Sequence, residues 1–149
     1  MSPQAIDVLV VDHDEDFRSV VVGAVTGLDF RCRSARDGRE ALDEQAREAA
    51  AIVLADWRMP GVDGLELCQA LKRDPSPPYV ILMTVEHEQA QRFGSSGADG
   101  YLRKPFGLDA LEARLLAAAR CVRAQRDLVD MKRREVFGQI DRKDTPPTG

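Results

Sequence analysis

Four side chains stand out for the chemistry they would perform together: Asp12, Asp56, Thr84 and Lys104. Each closes a short, largely apolar run: VLVVD, IVLAD, YVILMT and YLRK. The carboxylates of Asp12 and Asp56, with a backbone carbonyl from the turn after Asp56, are hard oxygen donors. Mg²⁺ accepts such donors while keeping several waters. An aspartate beside that cation is able to attack phosphorus and form an acyl phosphate. The Thr84 hydroxyl and the Lys104 ammonium suit the oxygens of a transferring phosphoryl group, where catalysis is mostly positioning and charge neutralisation. Taken singly, each group has a plainer role. Asp56 would cap a turn, Asp14, Glu15 and Asp16 would face a helix N-terminus, Thr84 would cap a helix, and Lys104 would be a surface charge. Phosphoryl chemistry therefore requires a fold that gathers all four.

The elements that must do so follow from the apolar pattern. Asp56 lies in AIVLADWRMPGVDG, Ala51 to Gly64. Its continuous apolar run, bounded by Met59-Pro60-Gly61, reads as a strand of a parallel sheet buried on both faces. Ile6 to Val11 reads as a first strand. Phe17, Val20, Val21, Ala24 and Val25 recur at helical spacing as far as Gly27. Asp29 to Ala35 is a second strand, and Ala41, Leu42, Ala46 and Ala49 mark a second helix. Gly64 to Lys72 is a third helix, followed by a stiff Asp74-Pro75-Ser76-Pro77-Pro78 loop. Tyr79 to Met83 forms a strand ending at Thr84. His87 to Phe93 is a short polar helix closed by Gly94 and Gly97, and Gly100 to Arg103 is a fifth strand. This alternation predicts an α/β domain with a five-stranded parallel sheet and helices on both faces. Right-handed crossovers bring all strand carboxyl ends to one edge, where open α/β sheets place their ligand crevice.

Composition narrows the class. With 149 residues, 44% hydrophobic and 31% charged, the chain has room for one ordinary globular domain. No apolar run reaches bilayer length, and the N-terminus lacks the basic region of a signal peptide. Cys32, Cys68 and Cys121 are odd in number and widely spaced, matching neither a zinc site nor a disulfide framework. They read as buried or incidental thiols of a cytoplasmic protein. Residues 1–119 carry 13 Lys/Arg against 20 Asp/Glu, whereas residues 120–149 carry 8 against 5. The acidic body argues against nucleic-acid binding.

The last helix differs from the others. Leu108, Leu115, Val122, Val129 and Val136 recur every seven residues, but their companions Leu111, Ala118, Gln125, Lys132 and Gln139 are apolar only in the first half. Two readings stay open. One is a helix that leaves its sheet near residue 122 and pairs with a second copy as a dimer stalk. The other is a solvated helix, basic around Lys132-Arg133-Arg134. The resulting division is a domain over 1–121, a helical extension over 122–140 and a disordered tail, DRKDTPPTG, over 141–149.

The segments VLVVDHDEDFR, VLADWRMPGVDG, ILMT and GADGYLRKPF resemble the landmarks of the receiver domain of bacterial two-component response regulators, of the chemotaxis-regulator kind, over residues 6 to about 121. The resemblance implies a flavodoxin-like, doubly wound sheet of order 2-1-3-4-5 with an extended C-terminal helix. It implies that Asp56 is the phosphoacceptor, charged by a sensor histidine kinase or phosphotransfer protein. Mg²⁺ or Mn²⁺ would be held by Asp12, Asp56 and the backbone carbonyl of Arg58. Thr84 and Tyr101 match the switch pair, Lys104 the phosphate-binding lysine, and Pro105 a cis peptide bond. Arg58 and Glu86 match positions flanking the path of the attacking water, where their opposite charges would pair. The domain would promote its own phosphorylation and dephosphorylation and signal to an unknown downstream protein through the face carrying Tyr101. It would not be an enzyme of small molecules, since the acceptor strand lacks a glycine-rich phosphate loop.

One position departs from the family. His13 stands where the family has a second acid that ligates the metal, and imidazole is a poor Mg²⁺ ligand. Three outcomes are open: Asp14 leans in, the metal binds weakly through Asp12 and Asp56, or the chain is a pseudo-receiver that docks partners without phosphate.

Overall fold

The computed structural model describes residues 5–85 and 92–144. Its five strands, β1 (Asp7–Val11), β2 (Arg31–Ala35), β3 (Ile52–Asp56), β4 (Tyr79–Thr84) and β5 (Gly100–Arg103), form one parallel sheet of order β2-β1-β3-β4-β5. The helices described are α1 (Glu15–Gly27), α2 (Gly38–Arg47), α3 (Gly64–Leu71), α4 (Phe93–Ser96) and α5 (Leu108–Asp144).

The three central strands, β1, β3 and β4, are largely apolar because both faces of the sheet are covered there. Val8, Val10, Ile52, Leu54, Ile81 and Met83 face one core with Val21 and Val25 of α1 and Leu111, Leu115 and Ala118 of α5. Their alternates Leu9, Val11, Val53, Ala55, Val80 and Leu82 face the other, against Ala41 of α2 and Leu67, Cys68 and Leu71 of α3. Strand order reverses between β1 and β3, so the crevice at their carboxyl ends is the natural ligand position. Three aspartates start the long helices that follow strands. Asp14, Asp37 and Asp63 accept hydrogen bonds from the N–H groups of Phe17, Glu40 and Glu66. Each cap is worth about 1 kcal/mol.

Three boundaries differ from the sequence expectation. Asp29 does not begin β2; it adopts a left-handed φ of 69° just after α1, and the strand starts at Arg31. A short polar side chain tolerates that conformation better than a branched one. The described helical turn of α4 is Phe93–Ser96, with Gly97 in the left-handed region at its C-cap, so the helix expected from His87 falls largely outside the described residues. Finally, α5 continues past residue 140 to Asp144. Asp141 to Asp144 contains neither Gly nor Pro, and the next break is Thr145-Pro146, where the residue before proline disfavours helix. The remaining tail, 145–149, lies outside the described residues.

On α5, Leu111, Leu115, Ala118 and Ala119 are buried, and Val122 packs at the margin of the core. Beyond it Leu128, Val129, Met131, Val136 and Phe137 are 47% to 62% exposed, so this stretch is not packed against the described residues of the body. The exposed edge strand β2 is armoured by charge: Arg31 pairs with Asp7 at 2.5 Å and Arg33 with Glu44 at 2.9 Å. Among the described residues, no helix is long and apolar enough to cross a membrane.

Candidate functional site

Asp12 follows β1, Asp56 ends β3, Thr84 ends β4 and Lys104 follows β5. Because the strands are parallel, these ends share one edge. The Lys104 Nζ lies 2.8 Å from Asp12 Oδ2 and 3.5 Å from Asp56 Oδ1. Backbone bonds lock the segments that carry them: Lys104 N–H donates to Thr84 O, Trp57 N–H to Met83 O, and Asp12 N–H to Ala35 O.

Asp12 is only 1% exposed and fully engaged. Its second oxygen, Oδ1, accepts the Asp14 N–H at 2.9 Å, and its backbone carbonyl accepts from Arg18 Nη1 at 2.9 Å. Lys104 sits against an aromatic pair. Its Nζ is 4.0 Å from the Phe17 ring centroid, and Phe17 meets Phe106 edge-on at 5.8 Å. The Lys104–Pro105 peptide bond is cis. Thr84 is buried at the end of β4. Tyr101 is half-buried and lines a groove with Pro105, Phe106, Ala110 and Arg114.

Burial pushes the Asp56 carboxyl above the usual carboxylate value. The Lys104 ammonium and the Arg58 backbone N–H pull it down, while the Asp12 charge adds to the rise. A raised folded-state pKa means that the native fold holds the Asp56 proton more tightly than the unfolded chain does. Its contribution to stability is present below about pH 4 and is lost as pH rises through the folded value. Asp56→Asn should therefore unfold at a higher temperature than the native chain at pH 7 in metal-free buffer. The difference should close below about pH 3, where aspartate is mostly protonated in both states. A gap of unchanged size across this pH range would contradict this account of the buried charge.

The donor set fits Mg²⁺ in the manner that ion prefers, through one or two carboxylates and several waters. Asp12 and Asp56 supply the carboxylates, both within reach of one ammonium. They are not joined by a third. Among the described residues, no cluster of three His, Cys, Asp or Glu side chains is placed to hold a metal. His13 is exposed. Asp14 Oδ1 accepts the Phe17 N–H at 3.1 Å, satisfying a donor that the first turn of α1 would otherwise leave open. Arg58 is exposed and lines an open groove with Trp57, Met59, Pro60, Asp63 and Arg92. Its expected partner Glu86 lies outside the described residues. Cys32 and Cys68 are no nucleophiles here, since burial raises both thiols to about 11.

Sequence spacing had not marked Phe17, Phe106, Arg18 or Gly64 as parts of this site. Gly64 admits no side chain: a Cβ would lie 2.3 Å from the Asp56 carbonyl oxygen. The signal available was Asp63-Gly64, a helix-capping residue followed directly by glycine six residues after the acceptor's turn begins.

A doubly wound parallel sheet whose strand ends gather two acids, a hydroxyl and a lysine defines the receiver class of signalling domains. The sequence profile of the response regulator receiver domain matches residues 8–116, and the chain belongs to that family. It is 37% identical over 119 residues to the transcriptional activator protein PfeR of Pseudomonas aeruginosa, an alignment covering 79% of this chain and 39% of PfeR. It is 35% identical over 117 residues to the response regulator MprA of Mycolicibacterium vanbaalenii, covering 77% and 51%. The chain thus spans about half, or less, of the length of these curated relatives. Among solved structures, it is similar to the chemotaxis protein CheY4 of Vibrio cholerae, with a TM-score of 0.69 at 28% identity, over 76% of this chain and 98% of that one. NtrX of Brucella abortus superposes with a TM-score of 0.78 at 28% identity, over 85% of this chain and 30% of NtrX.

Proposed function

We propose that this chain is a phosphorylation-controlled switch that accepts a phosphoryl group on Asp56 from a sensor histidine kinase or phosphotransfer protein. The observation that carries this reading is the Lys104 ammonium set between Asp12 and Asp56, at 2.8 and 3.5 Å. An Asp56 carboxylate oxygen attacks phosphorus, the bond from phosphorus to the donor's nitrogen breaks, and an acyl phosphate remains. Lys104 neutralises charge on the phosphoryl oxygens, and the Thr84 hydroxyl donates to one of them. Mg²⁺ or Mn²⁺, held by Asp12, Asp56 and the Arg58 carbonyl, supplies further neutralisation when bound. Tyr101 then reports the event at the groove between β5 and α5, where a downstream protein reads it. The extension over 122–140, with its exposed apolar residues, pairs with a second copy of the chain. We place the protein in the cytoplasm, where its kinase would act.

Incubation with acetyl phosphate and Mg²⁺, followed by intact mass measurement, tests the switch. The native chain should gain one phosphoryl group and Asp56→Asn none. A second reading, a pseudo-receiver that docks partners without phosphate, is favoured by exposed His13 and by the absence of a third acid among the described residues. No mass gain in the native chain would select it.

The metal affinity carries its own prediction. His13→Asp restores a second acid after β1 and should tighten Mg²⁺ binding about tenfold or more, equivalent to ~1.4 kcal/mol. Emission from Trp57, buried beside Asp56, reads the titration. Equal affinities in the two proteins would remove His13 as the determinant.

A further inference from the structure

We propose that Phe17 is a positioning residue for Lys104, its ring face holding the ammonium over the two strand-end acids; this role rests on the switch reading above. Among the described residues, the ammonium meets Asp12 Oδ2 at 2.8 Å, Asp56 Oδ1 at 3.5 Å and the Phe17 ring centroid at 4.0 Å. The lysine side chain is 13% exposed, so little water remains to hold the charge. An aromatic face stabilises a cation through its quadrupole, and more strongly where water is displaced.

The ring differs from a carboxylate in one useful respect. It offers no lone pair, so it fixes where the ammonium sits without dictating where its N–H bonds point. Asp12 alone would draw those bonds to itself. With the ring as a stationary contact, the same ammonium can turn its donors from Asp12 toward new oxygens on Asp56 while staying in place.

Phe17 is itself held from several sides. Its N–H is taken by the Asp14 carboxylate, and its ring forms a T-shaped pair with Phe106 at an interplanar angle of 78°. The next residue, Arg18, donates to the Asp12 carbonyl, and the Asp14 N–H binds Asp12 Oδ1. The first turn of α1 is therefore fastened to Asp12 by two hydrogen bonds and to Lys104 by one ring.

The test replaces Phe17 in the full chain with tyrosine, with leucine and with pentafluorophenylalanine. The last keeps the shape of the ring but reverses its quadrupole. The rate of phosphoryl gain from acetyl phosphate with Mg²⁺ is read by intact mass, and thermal midpoints are read in parallel. Phe17→Tyr should react within about twofold of native, while the fluorinated ring and Phe17→Leu should be slower by about tenfold. The fluorinated chain should remain folded with a thermal midpoint only a few degrees below native, and the Lys104 ε-methylene protons of the native chain should show upfield ring-current shifts that Phe17→Leu abolishes. A fluorinated chain that reacts at the native rate would overturn the role of Phe17 and leave the switch standing. A native chain that gains no phosphoryl group would defeat both.

Discussion

Lys104→Met should destabilise the fold by about 3 kcal/mol and cut phosphoryl gain at Asp56 by more than tenfold. The substitution keeps most of the apolar stem of the side chain but removes the terminal ammonium, and with it the charge that sits over Phe17. Asp12, only 1% exposed, is then left with a single donor, the Asp14 N–H, on its carboxylate. Removing one partner of a buried ion pair leaves an uncompensated charge, at a cost of roughly 3–5 kcal/mol. The lower end applies because the Lys104 and Asp56 side chains keep 13% and 17% exposure, so water still reaches the edge of the site. Urea denaturation gives the stability change. Asp12→Asn in the Lys104→Met background should restore most of it, because the amide carries no charge to strand. A loss below about 1 kcal/mol, or no recovery in the double variant, would show that the pair does not hold the site together.

Gly64→Ala should cost a further large amount, about 3 kcal/mol, and impair phosphoryl acceptance as well. The added Cβ meets the Asp56 carbonyl oxygen at 2.3 Å and the Trp57 Cα at 2.8 Å. Both are backbone atoms, so no side chain can rotate away, and α3 or the acceptor strand must shift. Gly64 N–H also donates to Trp57 O at 2.8 Å, which ties the start of α3 to the residue after the acceptor. Gly23→Ala serves as the control. It lies inside α1 with nothing within 4 Å of the new Cβ, and should stabilise by ~0.5–1 kcal/mol. A Gly64→Ala chain as stable as native would mean that α3 yields at no cost.

What the sequence disclosed and what it withheld divide along a physical line. Apolar runs and turn residues record which segments lie in a two-sided sheet, so strand number, strand ends and the strand-end grouping of Asp12, Asp56, Thr84 and Lys104 were readable. Parallel geometry then brings Asp12 and Lys104 together across the chain without further information. Phe17 was readable only as a core position of α1, because spacing reports the face of a helix and not the atom a ring covers. Asp14 carried two compatible readings, metal ligand and helix cap, which spacing alone does not separate; the structure shows the cap, through the Phe17 N–H. Asp29 looked like the start of a strand because polarity does not reveal the sign of φ. The far half of α5 stays ambiguous in sequence since Gln125 and Lys132 dilute its seam, and the structure shows only that none of the described residues covers its apolar side chains.

That uncovered half also has a length. At 1.5 Å per residue, the helix from Arg123 to Asp144 reaches about 33 Å beyond the packed body, comparable to the width of a small domain. A rod of that kind acts as a ruler: whatever engages its distal end would be kept a full domain's width from Asp56. Rotation of α5 about its own axis at the body would swing that distal surface around without bringing it nearer, so under the proposed switch the helix would transmit direction rather than distance.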